Sequence, residues 1–173
     1  QWASAFAEQG LGVSKTIGDL AGPMSFAIMM GISRAVYGKI GDKIHLEHFM
    51  TASSLLCVVA YLLAALVPSA AVNLIGCGLV GLSVGIMWPG TFSKAAKSLR
   101  TGGTAMFAFL ALAGDLGCSG GPTVVGMVSN AASGNMKTGI LAGVVFPLIM
   151  TLCLLFGRER NKHALTQQAT PQT

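Results

Sequence analysis

An all-α, polytopic membrane helix bundle is the fold class this sequence predicts, and three observations predict it. The chain is 53% hydrophobic and only 10% charged, with a mean hydropathy of +0.68, whereas a soluble domain keeps about 25% charged residues to wet its surface. Five windows, 17–37, 49–67, 71–93, 103–127 and 139–157, are apolar over the roughly 20 residues that one bilayer crossing needs. In the fourth window a single charge, Asp115, stands at the centre. An ionisable group near the midplane costs roughly 2.5 to 3.5 kcal/mol on insertion scales unless it meets water or a partner, so it marks a place where something is bound or moved.

Residues 1–7 read as the last turns of a helix that began upstream, stopped by Glu8, Gln9 and Gly10, without the basic leader of a signal peptide. The chain is therefore expected to be a fragment, the tail of one span followed by five complete ones, with residues 1–157 forming one transmembrane unit. Only Asp19, Arg34 and Asp115 are charged inside the windows, the first two close to the ends of theirs. The connections at 68–70, 99–102 and 129–138 are short, which makes successive helices antiparallel neighbours and leaves no room for a soluble domain. Beyond 157 the chain turns polar, and 158–173 are expected to be a disordered cytoplasmic tail.

Orientation follows from the cations. With the loop after the first window placed in the cytoplasm, Arg34, Lys39, Lys43, Lys94, Lys97, Arg100, Arg158, Arg160 and Lys162 all fall on that side, leaving only Lys15 and Lys137 outside. The positive-inside rule selects this arrangement, a multi-pass protein of the cell inner or plasma membrane with a cytoplasmic C-terminus. The net charge of +5 and the pI near 9.3 then reflect topology. They do not indicate nucleic acid, because the cations are spread over short loops without a groove or an aromatic platform.

Cys57, Cys77, Cys118 and Cys153 lie in four different windows and read as small buried hydrophobes; with no C-x-x-C pair and no histidine at ligand spacing, neither a metal nor a cofactor is expected. His45, His48 and His163 sit at cytoplasmic edges, where interfacial solvation accounts for them. The run Gly76-Cys77-Gly78-Leu79-Val80-Gly81 fits the dinucleotide fingerprint G-x-G-x-x-G, but it lies inside a span with no preceding strand and no acid about 20 positions on. Continued through Gly85 it reads instead as a small-residue face for close helix packing, as do Gly18-x-x-x-Gly22 and Gly117-x-x-x-Gly121. Pro89, Pro122 and Pro147 each free the carbonyl four residues back, on Gly85, Cys118 and Gly143, and are expected to bend or break their spans. Around Pro122 a carboxylate, a hydroxyl and a freed carbonyl, from Asp115, Ser119 and Cys118, fall within two turns.

Gly38-Lys39-Ile40-Gly41-Asp42-Lys43, at the cytoplasmic end of a window, resembles the G-x-x-x-D-[RK] loop signature of the major facilitator superfamily, in the copy between that family's eighth and ninth helices. The signature normally continues with Gly and further basic residues, where this chain has Ile44-His45-Leu46. Ile86-Met87-Trp88-Pro89-Gly90-Thr91-Phe92 is similar to a segment of the tenth helix in fucose-permease-like sugar transporters, with Gly90 a departure. The resemblance covers almost the whole chain, as the C-terminal six-helix half of a twelve-helix transporter with its first helix truncated. It implies alternating access, with solute bound between two halves and the missing N-terminal half as the chief partner. Asp42, with Gly38, Lys43 and Arg34, would form a cytoplasmic gate. Independently, a carboxylate at 42 can sit by the N-terminal end of the helix that starts near 103, where the helix dipole favours an anion, although a solvated loop charge is the competing reading.

Three function classes are open. A secondary transporter of a small solute, a sugar symporter or a drug or metabolite exporter, accounts together for Asp115, the kinked glycine-lined helices and the short loops. An intramembrane enzyme would need a catalytic pair that no span holds, and a channel would need a ring of polar or charged groups. The expected solute and coupling residues are Asp115, Ser119, Pro122, Trp88, Pro89 and Asn73, with Ser83 and Thr91 as further polar lining and proton coupling resting on Asp115.

Overall fold

The computed structural model describes residues 14–67, 69–99 and 101–169, which form helices and turns and no strand. Helix α1 is Lys15–Ile40, followed by a short 3-10 turn at Gly41–Lys43; α2 is Leu46–Leu66, α3 Ala70–Val84, α4 Met87–Ser98, α5 Gly103–Ala131, α6 Met136–Gly143 and α7 Val145–Ala169. Four runs are long and apolar enough to cross a membrane, Leu46–Leu66, Ala71–Ser98, Gly103–Ala131 and Met136–Gly157. These are the helices of a membrane protein. Helix α1, which holds the first of the five expected spans, is 26 residues long and is not among these four. Past Gly157, where the last apolar run ends, α7 continues as helix to Ala169, where a disordered tail was expected.

Two of the four runs are each a pair of helices. The break is one of hydrogen bonding only, at Gly85 and Ile86 between α3 and α4 and at Val144 between α6 and α7, where the backbone stays right-handed helical. Each break lies just ahead of a proline, Pro89 or Pro147, whose ring excludes the carbonyl four residues back and whose nitrogen has no hydrogen to give. Pro122 behaves differently: α5 runs through it as one helix, so the expected break there is not formed.

Helix α3 is central, with α1 packed on one side and α2 on the other; α2 also receives α6 and α7, and α6 receives α5. Glycine sets the closeness of these contacts. A Cβ on Gly81 would collide with the main chain of Phe26, and one on Gly85 would stand 2.7 Å from Ser33 Cβ and 2.9 Å from the Met30 carbonyl oxygen. On another face of α3, a Cβ on Gly76 would stand 3.3 Å from Ala64 Cβ and 3.4 Å from the Ala60 carbonyl oxygen. The fingerprint-like glycine run is therefore a helix contact surface, as its position in a span implied. A Cβ on Gly139 of α6 would stand 2.6 Å from the Val125 carbonyl oxygen of α5, and one on Gly90 2.8 Å from the Met50 sulfur. Gly117 and Gly121, by contrast, meet nothing within 4 Å, so that pair serves no contact among the described residues.

The interior is built from small and polar side chains as much as from large apolar ones, which suits a bundle whose outside is lipid. Met50, Ser54, Asn73 and Ser83 are its largest fully buried side chains. The Ser54 and Thr151 hydroxyls are hydrogen-bonded to each other at 2.7 Å, and with the Pro147 carbonyl oxygen, 3.1 Å from Ser54 and 2.7 Å from Thr151, they share the two hydrogens in one cluster that ties α2 to α7 beside the second break. All four cysteines are free; Cys57 is buried and Cys77 half-buried, but Cys118 and Cys153 are exposed, so the buried-hydrophobe reading does not extend to those two.

Candidate functional site

The break between α3 and α4 gathers the chemistry. Pro89 cannot donate to the Gly85 carbonyl, and a carbonyl freed inside a membrane needs another donor. Arg34 supplies it: its Nε donates to the Gly85 oxygen at 3.0 Å, across from α1. Gly85 stands 14 residues after Ala71 and 13 before Ser98, at the middle of that apolar run. Arg34 had been grouped by sequence with the cytoplasmic gate at the end of α1. Its Nε also serves the oxygen that the proline leaves without a donor.

Trp88 follows three residues after that carbonyl. Its ring centroid lies 4.7 Å from that of Phe92, which in turn stacks on Phe107 of α5 at 5.7 Å and 15°. The six-membered ring of Trp88 occupies the space where a Cβ on Gly114 would be, so only glycine at 114 lets the indole lie against α5. This aromatic clasp fixes α4 to α5 one residue before Asp115. Trp88 is nonetheless 47% exposed.

Asp115 is exposed on α5, and it has neither an ion pair nor a side-chain hydrogen bond among the described residues. Its helix offers free space on both flanks of the next turns, since a Cβ on Gly117, Gly120 or Gly121 would meet nothing within 4 Å. The Ser119 side chain is also exposed, one turn on, and its carbonyl accepts the Thr123 hydroxyl at 2.7 Å. Pro89 and Pro122 are half-buried. The structure thus brings Arg34 to the carbonyl that Pro89 leaves free, and Trp88 to the glycine that precedes Asp115.

Other sequence-selected residues lie elsewhere. Asn73 is fully buried in the first turn of α3, where its Nδ2 donates to the Val67 carbonyl at 3.1 Å across the α2–α3 connection, far along the run from Gly85. It ties a turn and does not line the break; its Oδ1 has no hydrogen-bond partner. Ser83 and Thr91 turn their hydroxyls back onto their own helices, to the Val80 and Met87 carbonyls, both at 2.7 Å. At the gate motif, Gly38 faces open space, Lys43 is exposed, and the Tyr37 ring packs over Gly41 and against Phe49, at 5.2 Å between centroids. The side chain of Asp42 lies outside the described residues. His45 and His48 are exposed and meet edge to face at 5.7 Å, and no group of three potential metal ligands occurs among the described residues.

A second feature lies below the break. A groove of about 290 Å³ runs between α4 and α7 over Met50, lined mainly by Thr91, Ala95, Met150, Cys153 and Leu154. At its edge Lys94 pairs with Glu47 of α2 at 2.9 Å, both about one third exposed. Such a pair contributes at most about 1 kcal/mol, and it pins α4 to the start of α2.

The chain matches no family model, no curated protein and no solved structure.

Proposed function

We propose that this chain is the C-terminal six-helix half of a two-half secondary transporter of the major facilitator kind, moving a small solute by alternating access. The observation that carries the reading is the mid-span break at Gly85 and Ile86, with a cation on its freed carbonyl, an indole beside it and a carboxylate on the helix the indole touches. Spans interrupted by glycine and proline are the pointer to where secondary transporters bind solute and coupling ion. In this reading α1, α4 and α5 face the other half, Asp115 carries the coupling proton, Trp88 stacks on the solute, and Asp42 with Gly38 and Lys43 latches the cytoplasmic side. A sugar is the first solute class to test.

The intact two-half chain, purified into liposomes, is expected to exchange at least one small solute in counterflow and to accumulate it when a proton gradient is imposed. Ion conductance without saturable exchange would replace this reading with a channel. The six-helix chain by itself is expected to move nothing, and concentrative uptake by it would mean a half-size transporter that dimerises.

The orientation belongs to the same proposal and is tested separately. In a background lacking the four native cysteines, Ser69→Cys and Asn135→Cys are expected to react with an impermeant thiol reagent from outside, and Thr101→Cys only after permeabilisation. The opposite pattern at all three positions would invert the topology.

A further inference from the structure

Helices α4 and α7 both lean on α2 and scarcely touch each other, which leaves the groove over Met50 between them. Its walls are one face of each helix, with Thr91, Lys94, Ala95 and Ser98 at helical spacing on α4 and Met150, Cys153 and Leu154 on α7. Ala95 and Cys153 are too small to close it, and the Thr91 hydroxyl is turned back onto the Met87 carbonyl at 2.7 Å, so the lining is apolar until it reaches Lys94. From Thr91 to Ser98 the helix rises about 10 Å, against roughly 15 Å for the hydrocarbon of one leaflet. The apolar runs of all three helices stop at the Lys94 end, that of α2 at Leu46, that of α4 at Ser98 and that of α7 at Gly157. The groove therefore lies in one leaflet, with its charged end at the headgroups. That end is cationic. Lys94 spends one of its three N–H groups on Glu47 at 2.9 Å and is about one third exposed, and Lys97, one turn on, is exposed. Helix α7 continues through Arg158, Arg160 and Lys162, so these three helices carry five cations near that end against two acids, Glu47 and Glu159.

We infer that this groove is a binding site for an anionic phospholipid, one acyl chain lying along Ala95 and Cys153 over Met50 and the phosphate accepting hydrogen bonds from Lys94 and the Ser98 hydroxyl. Basic pockets between spans are where acidic headgroups bind, and the excess of positive charge at this end selects a net anionic headgroup over a zwitterionic one. The chain supplies the apolar surface that Ala95 and Cys153 do not, so the lipid completes the packing between α4 and α7. The site goes beyond the transporter reading and stands whatever the solute is.

The test uses the intact two-half chain, delipidated in detergent and titrated with phosphatidylglycerol or with phosphatidylcholine of the same acyl chains. Bound lipid is counted by native mass spectrometry, and alkylation of the exposed Cys153 by N-ethylmaleimide is read by peptide mass. Phosphatidylglycerol is expected to bind at least about tenfold more tightly and to slow alkylation of Cys153, while that of Cys118, exposed on α5, stays unchanged. Lys94→Gln is expected to weaken phosphatidylglycerol roughly 10- to 100-fold, the span that loss of a charge-assisted hydrogen bond implies. Glu47→Gln breaks the same ion pair but frees a donor on Lys94, and should leave that affinity unchanged or raised. Ala95→Phe fills the groove and should abolish both binding and protection, whereas Leu152→Phe, exposed on α7 away from the groove, should do neither. Equal binding of the two lipids would overturn the inference, as would a preference for phosphatidylglycerol that leaves Cys153 unprotected. A loss in Glu47→Gln equal to that in Lys94→Gln would also overturn it, and would make the pair a structural pin alone. If Lys94→Gln or Ala95→Phe does not fold, the lipid preference of the unaltered protein and the protection of Cys153 decide.

Discussion

Gly81→Val is expected to part α1 from α3 and to leave a protein that does not survive extraction into mild detergent as a single monodisperse species. Any Cβ at position 81 would overlap the main chain of Phe26, and main chain in mid-helix cannot swing aside as the end of a side chain can. The helices must separate, which forfeits the neighbouring contacts of Gly78 and Gly85 as well. Overpacking typically costs about 1–3 kcal/mol and more where backbone must move, a large share of a marginal stability. Gly117→Ala is the matched control, since a Cβ there meets open space and alanine favours helix by up to about 1 kcal/mol. Size-exclusion profiles and thermal unfolding of the two variants check this. If Gly81→Val behaves like Gly117→Ala, the close approach of α1 and α3 is wrong.

Asp115→Asn is expected to abolish proton-driven accumulation while solute exchange at equal pH continues. The amide imitates the protonated carboxyl and has no proton to release, so the site can load and reorient but cannot draw on the gradient. Asp115→Glu should also be poorly tolerated, because the longer side chain displaces the carboxyl from the turn that follows the clasp at Gly114. Uptake with and without an imposed pH gradient, alongside counterflow at equal pH, separates the outcomes. Accumulation with wild-type dependence on the gradient would remove Asp115 from the coupling site and make it a structural residue near Ser119 and Pro122.

The parts of the fold legible in the sequence were those set by the solvent and by backbone sterics. A bilayer demands long apolar runs, so the four runs long and apolar enough to cross it could be counted directly. Glycines at helical spacing announced close packing at Gly76, Gly81 and Gly85, since in a span little else explains them. Pro89 and Pro147 announced their breaks. Pro122 did not make one, because a proline only removes a bond, and whether the helix opens depends on what packs around it.

The site was legible only as a set of needs. Pro89 implies an orphan carbonyl on Gly85, but nothing local says that a donor 51 positions earlier will fill it. Asn73 was ambiguous for the converse reason. A polar residue in an apolar run can serve a cavity or a turn, and its hydrogen bond six positions back, to Val67, shows that it serves the turn. The fit of Trp88 into the gap at Gly114 joins two runs whose order in sequence carries no record of their contact.

Helix α5 is gripped at two heights, by the indole of Trp88 at Gly114 and by Gly139 against the Val125 carbonyl. It therefore acts as a tie rod between two helices, α4 and α6, each of which adjoins a proline break and so has a pivot of its own. The ten residues between the two grips, 115–124, begin at Asp115 and contain Pro122. Any change in the angle between α4 and α6 would have to be absorbed there as twist or bend, which would turn the carboxylate without any direct contact between it and the helix that moved.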